Sequence, residues 1–76
     1  MIFLIEYDRL RGLIVSRREF DDSCRVDAEK ARLDLELELG RKEQVREVVL
    51  LQAMDEEALR RTHRRYFETP QQLSTG

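Results

Sequence analysis

Ile2-Phe3-Leu4-Ile5-Glu6-Tyr7, then Asp8-Arg9-Leu10-Arg11-Gly12, then Leu13-Ile14-Val15-Ser16-Arg17-Arg18-Glu19-Phe20: these three runs decide the fold. The first is short, β-branched and aromatic with no breaker, which is strand composition. The second opens on Asp and closes on Gly, so it suits a turn that finishes with a positive φ at Gly12. The third returns as a second strand, with Leu13-Ile14-Val15-Ser16 as its apolar half. Together they predict a β-hairpin.

Beyond the hairpin, Asp21-Asp22-Ser23 offers good helix N-caps, and Asp27 and Glu29 place acids near a helix start. Residues 33–39 read two ways. Leu33, Leu35, Leu37 and Leu39 alternate with Asp34, Glu36 and Glu38, which is a strand's period. Ala, Leu, Glu, Lys and Arg are the best helix formers, however, and acids are poor in strands. With Gly40 placed as a C-cap and Arg41 and Lys42 beside the negative end of the dipole, the helical reading is preferred. It sets Ala28, Ala31, Leu35 and Leu39 in one stripe and Val26, Leu33 and Leu37 in another on the far side, so the second stripe asks for its own cover.

Residues 45–54 contain Val48-Val49-Leu50-Leu51, an apolar run that reads as a strand buried on both faces. Asp55 is an N-cap followed by Glu56 and Glu57, predicting a final helix to about residue 67, where Pro70 bars extension. The order is therefore β-β-α-β-α: an α+β domain over 1–69 with a flexible C-terminal tail over 70–76. A right-handed crossover returns the third strand beside the first, giving a mainly antiparallel sheet of order 2-1-3 with both helices on one face. The other face then carries surplus apolar surface from Phe3, Ile5, Val49 and Leu51, for which a homodimer is the simplest cover.

Seventy-six residues allow one small core and exclude two packed domains. Charged residues are 39% and hydrophobic ones 41%, which is too apolar for a disordered chain. Fourteen Lys and Arg against sixteen Asp and Glu leave a net charge of −2, so the whole chain is no polycation. Cys24 is alone, which excludes an internal disulfide and a cysteine metal cage and suits a reducing cytoplasm. The apolar start ends at Glu6, too short for a signal peptide or a membrane span.

Few residues carry a chemical signal. His63 is the single histidine, with Tyr66 three residues on, and Glu6 or Asp8 could partner it in acid–base work. The same histidine equally suits a packed position bonded to a carbonyl or carboxylate, and no nucleophile stands at a recognisable spacing. Arg60, Arg61, Arg64 and Arg65 share a side of the final helix and could meet phosphates, with Tyr66 or Phe67 stacking on a base. They also suit a solvated face, since Glu56→Arg60 and Glu57→Arg61 are pairs in the favourable i,i+4 order. The acids at 19–27 and 34–38 match no calcium loop, and Gly12, Gly40 and Gly76 are isolated, so no phosphate loop, metal or cofactor is expected. Cys24 at a helix start could be a low-pKa thiol or a small packed residue.

Glu6-Tyr7-Asp8-Arg9 before a glycine turn, with Leu59-Arg60-Arg61-Thr62-His63-Arg64-Arg65-Tyr66-Phe67, resembles small uncharacterised bacterial proteins. That resemblance implies a small cytoplasmic bacterial protein and brings no function with it. From the residues, the leading expectation is a self-associating protein-interaction module with no catalytic activity. It would use Phe3, Ile5, Val49 and Leu51 of the sheet and Leu33 and Leu37 of the first helix. A nucleic-acid-binding module on the arginine face is the alternative, and a small enzyme built on His63 and Tyr66 the third.

Overall fold

The computed structural model describes residues 1–67. Strand β1 (Ile2–Asp8) and strand β2 (Leu13–Phe20) form the predicted antiparallel hairpin, with Ile2 opposite Phe20 and Glu6 opposite Ser16. The turn follows from its ends. Asp8 Oδ1 accepts from the backbone N–H of Leu10 at 3.0 Å and of Arg11 at 3.1 Å, and the Gly12 N–H donates to the Asp8 carbonyl at 2.8 Å. Gly12 sits at φ 68°, where a side chain is strained. Beyond Glu6 the register shifts, and Tyr7 faces Ile14, so β2 carries a bulge beside Val15.

Strand β3 (Glu47–Gln52) pairs antiparallel with β1, giving the order β2-β1-β3. β1 is central, and all seven of its residues are buried. A strand apolar on both faces needs a layer on each side, and the structure supplies it. On one face Phe3, Ile5 and Tyr7 form a core with Leu59 and Tyr66, edged by Met1, Ile14, Val49, Leu51 and Phe67. Ile2 and Leu4 point to the opposite face, where the first helix lies with Ala28 and Leu39 buried. The helices therefore sit on opposite faces, not on one. The outer strands of a three-stranded sheet are about 10 Å apart. One helix about 10–12 Å across already covers that width, so the second must use the other side.

Helix α1 (Arg25–Arg41) follows a 3-10 turn over Asp22–Cys24, and 33–39 is helical as preferred. Its sheet-facing stripe is the expected one. The C-cap is not: Gly40 lies within the helix, and the left-handed residue is Glu43 at φ 56°. The Gln44 N–H donates to the Leu39 carbonyl at 3.0 Å and the Glu43 N–H to Gly40 at 3.2 Å, closing the end three residues later than glycine placement suggests. Asp21 makes no capping bond; Asp22 instead takes the Met1 ammonium at 2.7 Å and the Gln52 amide at 3.3 Å.

Helix α2 (Glu56–Thr62) is capped as predicted, with the Ala58 N–H donating to Asp55 Oδ1 at 2.8 Å. It stops at Thr62 and not near residue 67. His63 leaves helical geometry (φ −127°, ψ 51°), and a 3-10 turn over Arg64–Tyr66 follows. The break lets Tyr66 fall onto the sheet, where its ring meets Tyr7 edge-on at 5.1 Å and the Tyr7 hydroxyl donates to the Arg65 carbonyl at 3.3 Å. β3, expected to be buried on both faces, is half-buried because it is an edge strand. The expected flexible tail over 70–76, and residues 68–69, lie outside the described residues.

Candidate functional site

The apolar face expected to be open is closed. Phe3 is 1% exposed and Ile5 0%, both beneath Leu59 and Tyr66, and Val49 and Leu51 are half-buried against the same core. The layer over them is α2 with its 3-10 turn. The outer stripe of α1 is exposed as expected, with Leu33 at 53% and Leu37 at 58%, and Val26 beside them is more open still.

The sheet's two edges differ, a feature the sequence reading did not single out. β2 carries Arg17, Arg18 and Glu19 and a bulge, the usual guards against pairing with another chain. β3 carries Val48, Val49, Leu50 and Leu51 in succession with no charge, proline or bulge among them. The Ala53 N–H donates to the Met1 carbonyl at 3.1 Å, so the peptide groups of 49, 51 and 53 face β1. By the same alternation those of Val48, Leu50 and Gln52 face away from the sheet, where no described residue pairs with them. A groove runs along this edge between β3 and Arg25, Glu29 and Arg32 of α1. The signal in the sequence was the uncharged run itself, once strand order 2-1-3 put it at an edge.

The acid–base constellation is not assembled. Glu6 and Asp8 alternate with Tyr7, so they point to the α1 face, while His63 and Tyr66 belong to the layer on the other face. Arg46, which the sequence reading passed over, holds both acids: its Nη1 donates to Glu6 Oε2 at 2.9 Å and its Nε lies 4.0 Å from Asp8 Oδ2. Ser16 Oγ donates to the other Glu6 oxygen at 3.0 Å. The register explains the triad, because Tyr7 opposite Glu47 brings Arg46 opposite Asp8. His63 is half-buried at the helix break, its backbone N–H bonded to the Leu59 carbonyl at 2.9 Å. Tyr66 is buried, and its hydroxyl accepts from Arg65 at 3.0 Å.

The arginines do not form one helical face, since α2 ends before Arg64 and Arg65. Arg60 pairs with Glu56 at 2.9 Å and stacks on Phe67 at 4.8 Å. Arg65 pairs with Glu47 at 2.6 Å and stacks on Tyr66 at 4.5 Å. Arg17 of β2 also bonds Glu56, and its hydrogen bond, followed by that of Arg60, holds the Glu56 carboxyl below the usual range. Arg61 and Arg64 are exposed. Cys24 is half-buried next to Ser23, and no group of three metal-ligating side chains occurs among the described residues. Nor is any helix among the described residues long and apolar enough to cross a membrane.

Comparisons of the chain with protein-family models, with curated proteins and with solved structures give no match, so the reading of this surface rests on its own geometry.

Proposed function

We propose that the chain is a small self-associating protein-interaction module with no catalytic activity, working in the cytoplasm. The observation that carries this reading is the outer edge of β3: an uncharged apolar run over 48–51 with outward-facing peptide groups that no described residue meets. Free N–H and C=O groups in a row, backed by Val and Leu, are satisfied best by another polypeptide strand.

The α1 stripe adds apolar area but is not sufficient by itself. Leu33 and Leu37 are each about half exposed. A partner that covered what remains of each would gain about 1 kcal/mol per leucine, about 4 kcal/mol over two chains. Association costs about 4–15 kcal/mol in lost freedom, so the strand edge must supply the rest.

Size-exclusion chromatography with light scattering, over a hundredfold range of concentration and at low and high salt, tests the reading. A species larger than one chain that persists on dilution is the expected result. A monomer throughout, with no binding of an apolar dye, overturns it.

A further inference from the structure

Building on that reading, we infer that the partner on the β3 edge is a second copy of this chain. Its own β3 is added antiparallel, making a six-stranded sheet with the two α1 helices side by side on one face.

Charge order on α1 favours this occupant, with Arg25–Glu29 at 3.5 Å and Arg32–Glu36 at 3.2 Å paired along the helix and able to pair across it as well. Arg25, Glu29, Arg32 and Glu36 are spaced i, i+4, i+7 and i+11, so they share one flank of the helix. The first three line the groove beside 48–51, and Glu36 lines its continuation at Val48. Read along the helix the signs are plus, minus, plus, minus. An antiparallel copy presents minus, plus, minus, plus: Glu29 faces the second copy's Arg32, and Arg25 faces the second copy's Glu36. A parallel copy would set like charges together. The pattern thus complements itself under the one symmetry that also pairs β3 with β3 antiparallel, a twofold axis normal to the sheet. That axis passes between Glu29 and Arg32, and both line the groove at the middle of β3.

Distance agrees. α1 packs on β3 and β1 more than on β2, so its axis lies near the line between the first two. Strands are about 4.8 Å apart, which puts α1 about 5 Å from an axis lying half a spacing outside β3. Two copies then hold their helices about 10 Å apart, an ordinary helix packing distance. The Val26, Leu33 and Leu37 stripes of both helices end on the same outer surface and stay uncovered in this pair, so the strand edges and the facing α1 flanks carry the association.

The test uses the whole chain, the charge-reversed variant Glu29→Arg and the swap Glu29→Arg with Arg32→Glu, each followed by light scattering and amide hydrogen exchange. Both positions are on the helix surface, and circular dichroism checks that the fold is kept. Glu29→Arg sets two arginine pairs against each other and should weaken the dimer about tenfold to hundredfold. The swap should return it to within about threefold of the original, and the amides of Val48, Leu50 and Gln52 should be protected at dimeric concentrations and exposed on dilution. A dimer indifferent to Glu29→Arg, with those three amides exchanging freely, overturns this inference while self-association stands. A monomer at every concentration overturns both.

Discussion

Leu59 is the side chain that fixes α2 to the sheet, and Leu59→Ala measures how firmly. It is fully buried, the single buried residue of that helix, and it lies in the core with Phe3, Ile5 and Tyr7. The change removes three carbons, worth about 2.4 kcal/mol of transfer at about 0.8 kcal/mol each. The space left behind adds about 24 cal/mol for each Å³ that does not collapse. α2 has seven residues and a short connection to β3, so it can settle toward the sheet and keep that addition small. The expected loss is therefore about 3 kcal/mol, out of about 4–11 kcal/mol for a chain of this length. In a thermal melt it should lower Tm by about 12–24 °C. Urea denaturation followed by circular dichroism reads the same quantity, with Arg61→Ala on the exposed side of the helix as a control expected within about 0.5 kcal/mol of the original. A loss below about 1 kcal/mol would mean that α2 does not seal this core. The Phe3–Ile5–Tyr7 face would then be open after all.

Three other expectations follow from the fold. Arg46→Met leaves the buried Glu6 carboxylate without its cation and Asp8 with Arg11 alone, and should cost about 2–3 kcal/mol, part of it recovered by Glu6→Gln in the same chain. A double-mutant cycle in urea reads this coupling, and additive losses would refute it. Glu43→Gly relieves a left-handed backbone at the α1 C-terminus and should raise stability by up to about 1 kcal/mol, whereas Gly40→Ala should be tolerated, its added methyl group meeting open space. The Asp22, Glu38 and Glu56 carboxyls are held below their ordinary values, first by hydrogen bonds from the Met1 ammonium, Lys42 and Arg17 respectively. A depressed carboxyl stabilises the fold above its unfolded value and loses that contribution as pH falls through its folded value. Stability should stay flat from about pH 7 to 5 and decline below about pH 4, in small steps that salt screens; a rise on acidification would refute the pairings.

Strand order and helix content were legible because they follow from composition along the chain. Ile2 to Ile5 of β1 are apolar at every position, which marks the strand as central, and the Asp and Gly at the ends of its turn set the hairpin. The ambiguous segment 33–39 resolved as its residue types favoured, with the leucine alternation becoming one buried, one half-buried and two exposed positions on a helix. What composition did not carry was the placement of layers. Whether the second helix shares a face with the first depends on how wide three strands are against one helix, which is a tertiary quantity. The early end of α2 has a similar origin: Thr62 and His63 are weak helix formers, but the stop is set by Tyr66 reaching Tyr7. Arg46 was hidden for the same reason, since its partners appear only when the β1–β3 register is known. That register also separated His63 from Glu6 and Asp8, because side chains one residue apart on a strand point to opposite faces.

The chemistry still unspent at the β3 edge is what supports the proposed polypeptide partner. Among the described residues no buried side-chain nitrogen or oxygen lacks a bonding partner. Glu6, Asp8 and Tyr66, the groups with most potential for proton chemistry, are each engaged by an arginine. A site that acts on a small molecule ordinarily keeps some polar groups aimed at empty space, with a cavity in front of them. Along the β3 edge and the outer side of α1 the spare capacity is of other kinds: peptide groups at 48, 50 and 52 that no described residue meets, and exposed carbon at Val26, Leu33 and Leu37. Peptide groups in a row answer to another strand, and the apolar side chains of 48–51 answer to those of that strand. Small polar ligands supply neither, and a nucleic acid would place phosphates against an apolar edge. The proposed second strand would supply hydrogen-bonding groups and apolar side chains at once. The guarded β2 edge and the unguarded β3 edge belong to one sheet, so the proposed strand addition would run from β3 alone. In the proposed pair both outer edges would be β2, each with its charges and bulge, so the sheet would stop at two copies.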